Sequence, residues 1–351
     1  MKVAIITDTH FGARSDSQAF SNYFYKFWTN IFFPYLKEHN IDTIIHSGDL
    51  MDRRKYVNYD TLDRMRKEFI GVMVNEKITM HTIVGNHDTY FKNHGRLNSI
   101  EQLFDIDGIP NNDTFHTPVI AYSEPTNLKL PDGYRLDLIP WIADENEEQV
   151  LDFIKKSKNQ ICFGHFDLTG FEMMKGVKSA YHSRSPDFLD KYATVYSGHF
   201  HTKSDNGHIY YLGNTYEITW NDYNDQRGFH IFDTESLQCD FVPNPYKMHN
   251  KIIYNDTPID ASEYENQIVK VIVDKKEDIE LFTNTIEELE KSCEMINIIE
   301  DHGLLSSGQI EFETEDTINY PDGNKYVGEV SDGVPNGQGV MIYAEYVSTN
   351  G

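Results

Sequence analysis

Five short polar clusters carry side chains able to bind a metal or move a proton. They are Asp8-Thr9-His10, Gly48-Asp49 with Asp52-Arg53 just after, Gly85-Asn86-His87-Asp88, Gly164-His165, and Gly198-His199-Phe200-His201. The donors are of one kind, carboxylate, imidazole and amide oxygen, and they suit an octahedral divalent ion such as manganese better than a thiolate zinc site. Asp8, His10, Asp49, Asn86, His165, His199 and His201 make seven candidate ligands, too many for one ion. Two ions sharing a bridging carboxylate fit the count, and that arrangement serves phosphoester hydrolysis by activating a water and clamping the phosphate oxygens. Taken singly, each cluster has a plain structural reading, as a strand-end turn, a loop or a satisfied core histidine. His199 and His201 say more, because residues at i and i+2 point one way from an extended backbone while Phe200 points into the core. The order and placement of all five together decide for the two-metal reading.

Positioning such groups requires a sheet. Apolar runs at VAIIT (3 to 7), TIIHS (43 to 47), ITMHTIV (78 to 84), RLDLIP (135 to 140), QICFG (160 to 164), TVYSG (194 to 198), HIYYLG (208 to 213) and FHIFD (229 to 233) alternate with helix-like segments, the pattern of an α/β domain over residues 1 to 245. The polar clusters sit at the ends of five of these runs, and strand ends in an α/β sheet line one crevice. Leu62, Met65, Phe69, Val72 and Met73 recur at helical spacing, with Arg64, Arg66 and Lys67 on the outer face. The segment VPNPYKMHN (242 to 250) reads as a linker. After it QIVKVIVD, EDIELFTNTIEELEKS and EMINIIE read as strand, helix and strand, a small second domain over 246 to 300. Residues 301 to 351 hold the acidic stretch GQIEFETED and a Gly-rich segment, YPDGNKYVGEVSDGVPNGQGVMIY, that reads as a β-hairpin and resembles a single MORN repeat.

Across 351 residues, 31 Lys plus Arg against 56 Asp plus Glu leave a net charge of −25. A field of that sign repels phosphate at long range, so any phosphate chemistry depends on local positive charge. Arg53, Arg54 and Lys55 after the second cluster, and Lys175, Lys178 and Arg184 after the fourth, supply it; Arg53, Lys175 and Lys178 are the substrate-binding candidates. No stretch approaches the ~18 apolar residues of a membrane helix, and the opening run is too short for a signal peptide. Cys162, Cys239 and Cys293, odd in number and far apart, form neither a disulfide framework nor a metal site. A cytoplasmic protein with reduced thiols is expected.

The ordered set DTH, GD, GNHD, GH, GHFH resembles the calcineurin-like metallophosphoesterase superfamily over residues 1 to 245. The segments TIVGNHDTYFKN, LIPW, GHFDLTGFEMMKGVKS, YSGHFH and RGFHIFDTES are similar to its SbcD nuclease family. That resemblance implies a four-layer αββα sandwich, with residues 246 to 300 as an α+β capping domain. It implies Asp8, His10, Asp49 and His201 on a first manganese ion, and Asp49, Asn86, His165 and His199 on a second, with Asp49 bridging. His87 matches the catalytic histidine, a proton donor or a cation for transition-state charge, and Asp52 resembles its partner in an Asp-His dyad. The implied function is metal-dependent hydrolysis of DNA, as exonuclease or endonuclease, by a homodimeric nuclease subunit working with an SbcC-like SMC-type ATPase in recombination, repair and replication. A calcineurin-like phosphatase or small-molecule phosphodiesterase is the alternative. Family members end in a helical arm that docks on the ATPase, and this chain has no amphipathic helix pair after residue 300.

Overall fold

The computed structural model describes residues 1–104, 118–179 and 183–300, and the backbone of the strands Thr317–Asn319, Lys325–Ser331 and Val334–Ile342. Contacts divide the chain into two units, Met1–His249 and Asn250–Gly351. The first contains two six-stranded mixed sheets. One runs Cys239–Pro243, Gly228–Asp233, Lys2–Ile6, Thr43–His46, Thr79–Ile83, Val119–Tyr122, and its last four strands are parallel. The other runs Ser204–Asp205, Ile209–Tyr211, Thr194–Gly198, Ile161–His165, Arg135–Ile139, Thr126–Lys129, parallel through its four central strands.

All eight apolar runs read from sequence are strands. The reading missed Val119–Tyr122, Thr126–Lys129 and Cys239–Pro243, which extend the sheets at their edges. Strands buried on both faces read as continuous apolar runs, whereas half-exposed edges such as TNLK and CDFVP do not. The stretch that reads as a linker is strand only at its two ends: Cys239–Pro243 finishes and His249–Asn255 begins inside it, and 244–248 connect them.

Val3, Ile5, Ile45 and Ile83 of one sheet and Leu136, Leu138, Ile161, Phe163 and Tyr196 of the other share one buried cluster, so the sheets pack face to face. Helix Glu147–Lys156 covers the far side of the second sheet through Val150 and Ile154, against Cys162, Val195 and Ile209. The first sheet is covered by helical segments Gln18–Glu38 and Tyr59–Glu76, whose Phe27, Trp28, Phe32 and Phe69 form a buried aromatic cluster with Phe229. Both segments widen into a π-turn mid-way, at Trp28–Phe32 and Arg66–Ile70. In the first the cause is Pro34, which lacks an N–H and whose ring would clash with the carbonyl four residues back. In the second, Leu62 and Val72 are half-buried, and the basic face is charge-paired through Arg64–Glu68 and Lys67–Asp63, both 2.7 Å.

In the second unit, Ile268–Lys275 and Met295–Glu300 pair in parallel, with helix Ile279–Ser292 between them in sequence and His249–Asn255 alongside. Val269, Val271, Ile286 and Leu289 make its core. The backbone of Thr317–Asn319, Lys325–Ser331 and Val334–Ile342 forms an antiparallel sheet; the acidic stretch 308 to 316 lies outside the described residues. Among the described residues no helix is long and apolar enough to cross a membrane.

Candidate active site

Each cluster lies at or just past the carboxyl end of a parallel strand, where an α/β sheet leaves its crevice. Asp8 and His10 follow Lys2–Ile6, Asp49 and Asp52 follow Thr43–His46, and Asn86 and His87 follow Thr79–Ile83. From the other sheet, His165 ends Ile161–His165, and His199 and His201 follow Thr194–Gly198. The first two loops stay paired beyond their strands: Asp8 N–H donates to Gly48 O at 3.0 Å, His10 N–H to Asp49 O at 3.1 Å and Phe11 N–H to Leu50 O at 2.9 Å. Keeping those bonds while turning the side chains inward requires left-handed backbone at Asp8 (φ 51°), His10 (43°) and Asp49 (57°), and His199 is left-handed as well (90°). Each costs about 1 kcal/mol or more for a non-glycine residue, and strain of this kind concentrates at functional sites. Glycine lets the loops close up: a Cβ on Gly48 would stand 2.5 Å from His165 Nδ1, and one on Gly85 would collide with the Asp49 carboxylate and amide.

The seven candidate ligands converge. Ligand atoms of Asp8, His10 and His201 lie within 4.8 Å of one another, as do those of Asp49, His165 and His199. In the first group His10 Nε2 faces His201 Nε2 at 3.2 Å, with Asp8 Oδ1 3.9 Å from the former and 4.0 Å from the latter. In the second, Asn86 Oδ1 sits 2.9 Å from His165 Nε2 and 2.8 Å from His199 Nδ1. Asp49 Oδ2 lies between the groups, 3.3 Å from His165 Nε2 and 3.9 Å from His10 Nε2. Buried imidazole nitrogens and carboxylate oxygens turned toward common points are a donor set for cations, and two clusters flanking one carboxylate suit a two-metal centre.

The tautomers agree. His165 Nδ1–H donates to Ser47 O at 2.7 Å, which leaves Nε2 for a metal. Burial lowers His10 and His165, but carboxylates outweigh it, Asp52, Asp49 and Asp8 for His10 and Asp49 and Asp8 for His165, so each is raised to about 9 without metal. Burial dominates at His201, lowered to about 4, and at His199, held well below the ordinary histidine value. Burial would raise Asp49, yet His165, His87 and His10 hold it well below the usual carboxylate range.

His87 adjoins the first cluster, its ring centroid 4.9 Å from that of His10, and burial lowers its pKa. The expected Asp52–His87 dyad takes another form. His87 Nδ1–H donates to the main-chain carbonyl of Asp52 at 2.6 Å, while the Asp52 carboxylate lies 3.5 Å from His10 Nδ1. An offset of three residues from Asp49 places Asp52 beside both rings, its carbonyl on His87 and its carboxylate on His10.

Several supporting groups were not read from sequence. Asp88 is fully buried and accepts from the N–H groups of Asp49 (2.9 Å), Gly85 (2.9 Å), Met51 (3.0 Å) and Leu50 (3.3 Å), tying the second loop to the third. Its place at the end of GNHD was the available signal. His46, lowered to about 3 chiefly by burial, accepts from Gly48 N–H at 3.2 Å, and its Nε2 lies 3.0 Å from Thr9 Oγ1. Arg227, buried with Asp222 (2.8 Å) and Asp225 (3.0 Å), donates to the carbonyl of His201. Trp141 places its ring 5.1 Å from that of His199 and 6.0 Å from that of His165.

Among the substrate candidates, Arg53 is held by Asp16 (3.1 Å) and the Tyr56 hydroxyl (2.8 Å). Its neighbour Arg54, overlooked in choosing between the two, has a buried Nη1 without a protein partner and feels the charges of Asp49 and Asp88. Lys175 and Lys178 are exposed on the strands Glu172–Met174 and Val177–Lys178 and their turn.

Comparison with known proteins agrees with this geometry. The chain is 35% identical over 325 residues to exonuclease subunit 1 of Enterobacteria phage T4, covering 90% of this chain and 89% of that one. Two solved structures overlay loosely. An archaeal phosphodiesterase does so with a TM-score of 0.33 at 16% identity, covering 70% of this chain and 100% of its own. GAP50, the anchor in the inner membrane complex of Plasmodium, does so with 0.38 at 13%, covering 70% and 90%. Residues 1–203, which hold all the metal-ligand candidates, match the calcineurin-like phosphoesterases, and the chain belongs to that family.

Proposed function

We propose that this chain is the nuclease subunit of an SbcC-SbcD-like recombination and repair complex, hydrolysing DNA phosphodiester bonds at a two-metal centre. The observation that carries the reading is the Asp49 carboxylate flanked by both ligand clusters, with His87 beside them. Identity to a phage exonuclease subunit over 90% of the chain supports DNA as the substrate. Asp8, His10, Asp49 and His201 would hold one ion and Asp49, Asn86, His165 and His199 the other, manganese being the best match to the oxygen and imidazole donors. Bound there, the two ions supply an activated water and a clamp on the phosphate oxygens. His87, with Nδ1–H fixed on the Asp52 carbonyl, points Nε2 away from that bond; protonated there when substrate charge raises it, it gives the leaving oxygen its proton. Asp52 orients His10, and Arg53, Arg54, Lys175 and Lys178 contact flanking phosphates.

The same reading assigns residues 1–245 to the nuclease domain, 246–300 to a capping domain, and 301–351 to an acidic linker and Gly-rich hairpin; deleting 301–351 tests whether that tail is the dock for the ATPase. A homodimer through the Tyr59–Glu76 segment, where Tyr59 and Val74 are exposed, and a host-cytoplasmic location complete it. The net charge of −25 favours a second reading, hydrolysis of a small phosphodiester. The test is manganese-dependent cleavage of linear duplex DNA beside a nitrophenyl phosphodiester, with and without the purified ATPase. DNA cleavage stimulated by the ATPase is expected; cleavage of the small ester with none of DNA under either condition would establish the second reading instead.

A further inference from the structure

Directly after the GNHD loop the chain forms a small hairpin, Thr89–Phe91 against His94–Asn98. Its base is fixed to the catalytic loop: Thr89 Oγ1 donates to Asn86 O at 2.9 Å, and Ser99 N–H donates to Asp88 O at 2.7 Å. Its outer part is different. Tyr90 is 36% and Phe91 43% exposed, and the Phe91 ring lies tilted against that of His94, 36° between planes and 4.4 Å between centroids. Consecutive residues of a regular strand point to opposite faces, yet the Tyr90 and Phe91 centroids are 4.6 Å apart, the rings meeting edge to face at 69°, so each offers its own face rather than one shared plane. The register shifts between Thr89 and Phe91, and a bulge re-aims a side chain in this way. Lys55 Nζ stands 5.9 Å from the centre of the Tyr90 ring, and Lys92 is exposed on the turn. Three residues of chain keep Tyr90 within about 11 Å of His87.

We propose that Tyr90 and Phe91 form a stacking platform for the bases of single-stranded DNA, holding an unpaired strand end beside His87. This rests on the nuclease reading and names the substrate form that the site prefers. A chain of net charge −25 has no long-range attraction to offer a polyanion, so affinity must come from a short-range force. Stacking is such a force, tolerant of sequence because every base has a π-face, and adjacent lysines complement the phosphates. A base paired inside a duplex presents only its edge, so the platform selects frayed or single-stranded ends.

The test uses the full-length, manganese-loaded chain and a labelled thymidine oligonucleotide of about 12 nucleotides, read by fluorescence anisotropy. Tyr90→Ala with Phe91→Ala should weaken binding about tenfold or more, with the salt slope unchanged, because no phosphate contact is removed. Leucine at both positions should weaken it equally, and tryptophan at both should preserve it, since leucine keeps the apolar surface without the π-face. Manganese content and melting temperature report whether the hairpin base is intact, and the tryptophan pair supplies the comparison if the alanine pair unfolds. Leucine variants that bind as the wild type would overturn the proposal. So would alanine variants that dissociate a dimer without losing oligonucleotide affinity, which would make the patch a self-contact. If the variants rank as expected but the wild type cleaves no DNA, the nuclease reading alone fails; DNA cleavage with no ranking sinks the platform alone.

Discussion

Asp88 offers the sharpest test of how the site is held. Its Oδ2 accepts from Asp49, Gly85 and Leu50 N–H and its Oδ1 from Met51 N–H and the Ser99 hydroxyl. Asp88→Asn preserves shape but leaves one oxygen for these donors. With that oxygen in the Oδ2 position, the new amide N–H₂ faces Met51 N–H, a buried donor with no acceptor, at a cost of about 1–3 kcal/mol. The three remaining bonds fall from charge-assisted to neutral, about 1 kcal/mol each. Part of this returns, because burial and the Asp49 charge already disfavour the Asp88 carboxylate, raising its pKa to about 7. The net is about 2–4 kcal/mol, which for a unit of this size corresponds to a melting point lower by roughly 5–15 °C. Because one of the weakened bonds holds the main chain of Asp49, manganese affinity should fall about 10- to 100-fold. Differential scanning calorimetry and equilibrium dialysis measure the two effects. A variant that melts within a degree or two of the wild type and keeps its manganese would show that Asp88 does not tie the loops together.

His87→Ala should lower turnover about 10²- to 10⁴-fold with manganese content unchanged. Asp52→Asn, whose carboxylate faces His10, should instead weaken manganese binding about 10- to 100-fold, a split resolved by metal analysis beside steady-state kinetics. Arg227→Met strands the buried Asp222 carboxylate and should cost about 3–5 kcal/mol in chemical denaturation, with Arg227→Lys losing less. His10 and His165 are raised from 6.5 to about 9, so the stability they give the metal-free chain is complete below pH 6.5 and is lost as pH rises through 9. Metal binding must displace those protons, so the difference in melting temperature between manganese-loaded and chelated protein should widen over that range; a constant difference would contradict the assigned ligands.

How far the site could be read in advance depended on what kind of information each residue carries. His10, His165 and His201 were legible because their strands are buried on both faces and read as apolar runs, after which a polar residue has little to do except line the crevice. The Asp52 carboxylate meets His10 rather than His87 because spacing places the residue near both rings but says nothing of whether its main chain or its side chain faces each. Arg227 and Asp222 pair across five positions, close enough to be local surface charges, and their burial and the Arg227 bond to the distant His201 carbonyl show only in the folded chain. The bulge at Tyr90 belongs to the same class, since TYF reads equally well as a strand with one aromatic turned inward.

The acidity of the chain and its phosphate chemistry are reconciled inside the crevice. At a physiological Debye length of about 8 Å, the repulsion of the surface fades within a few side chains of any point, so the site sees mainly its own charges. Without metal these are the carboxylates of Asp8, Asp49 and Asp52 against protons on His10 and His165, about one negative charge in excess. Exchanging those two protons for two divalent ions adds roughly two positive charges net, and only then does the crevice attract phosphate. A long duplex cannot use that attraction without lying along acidic surface, whereas a strand end can enter and stack as it does so. On the proposed reading the negative charge acts as a filter: it would confine productive binding to the loaded site and leave any duplex to be delivered by a partner that carries the opposite field.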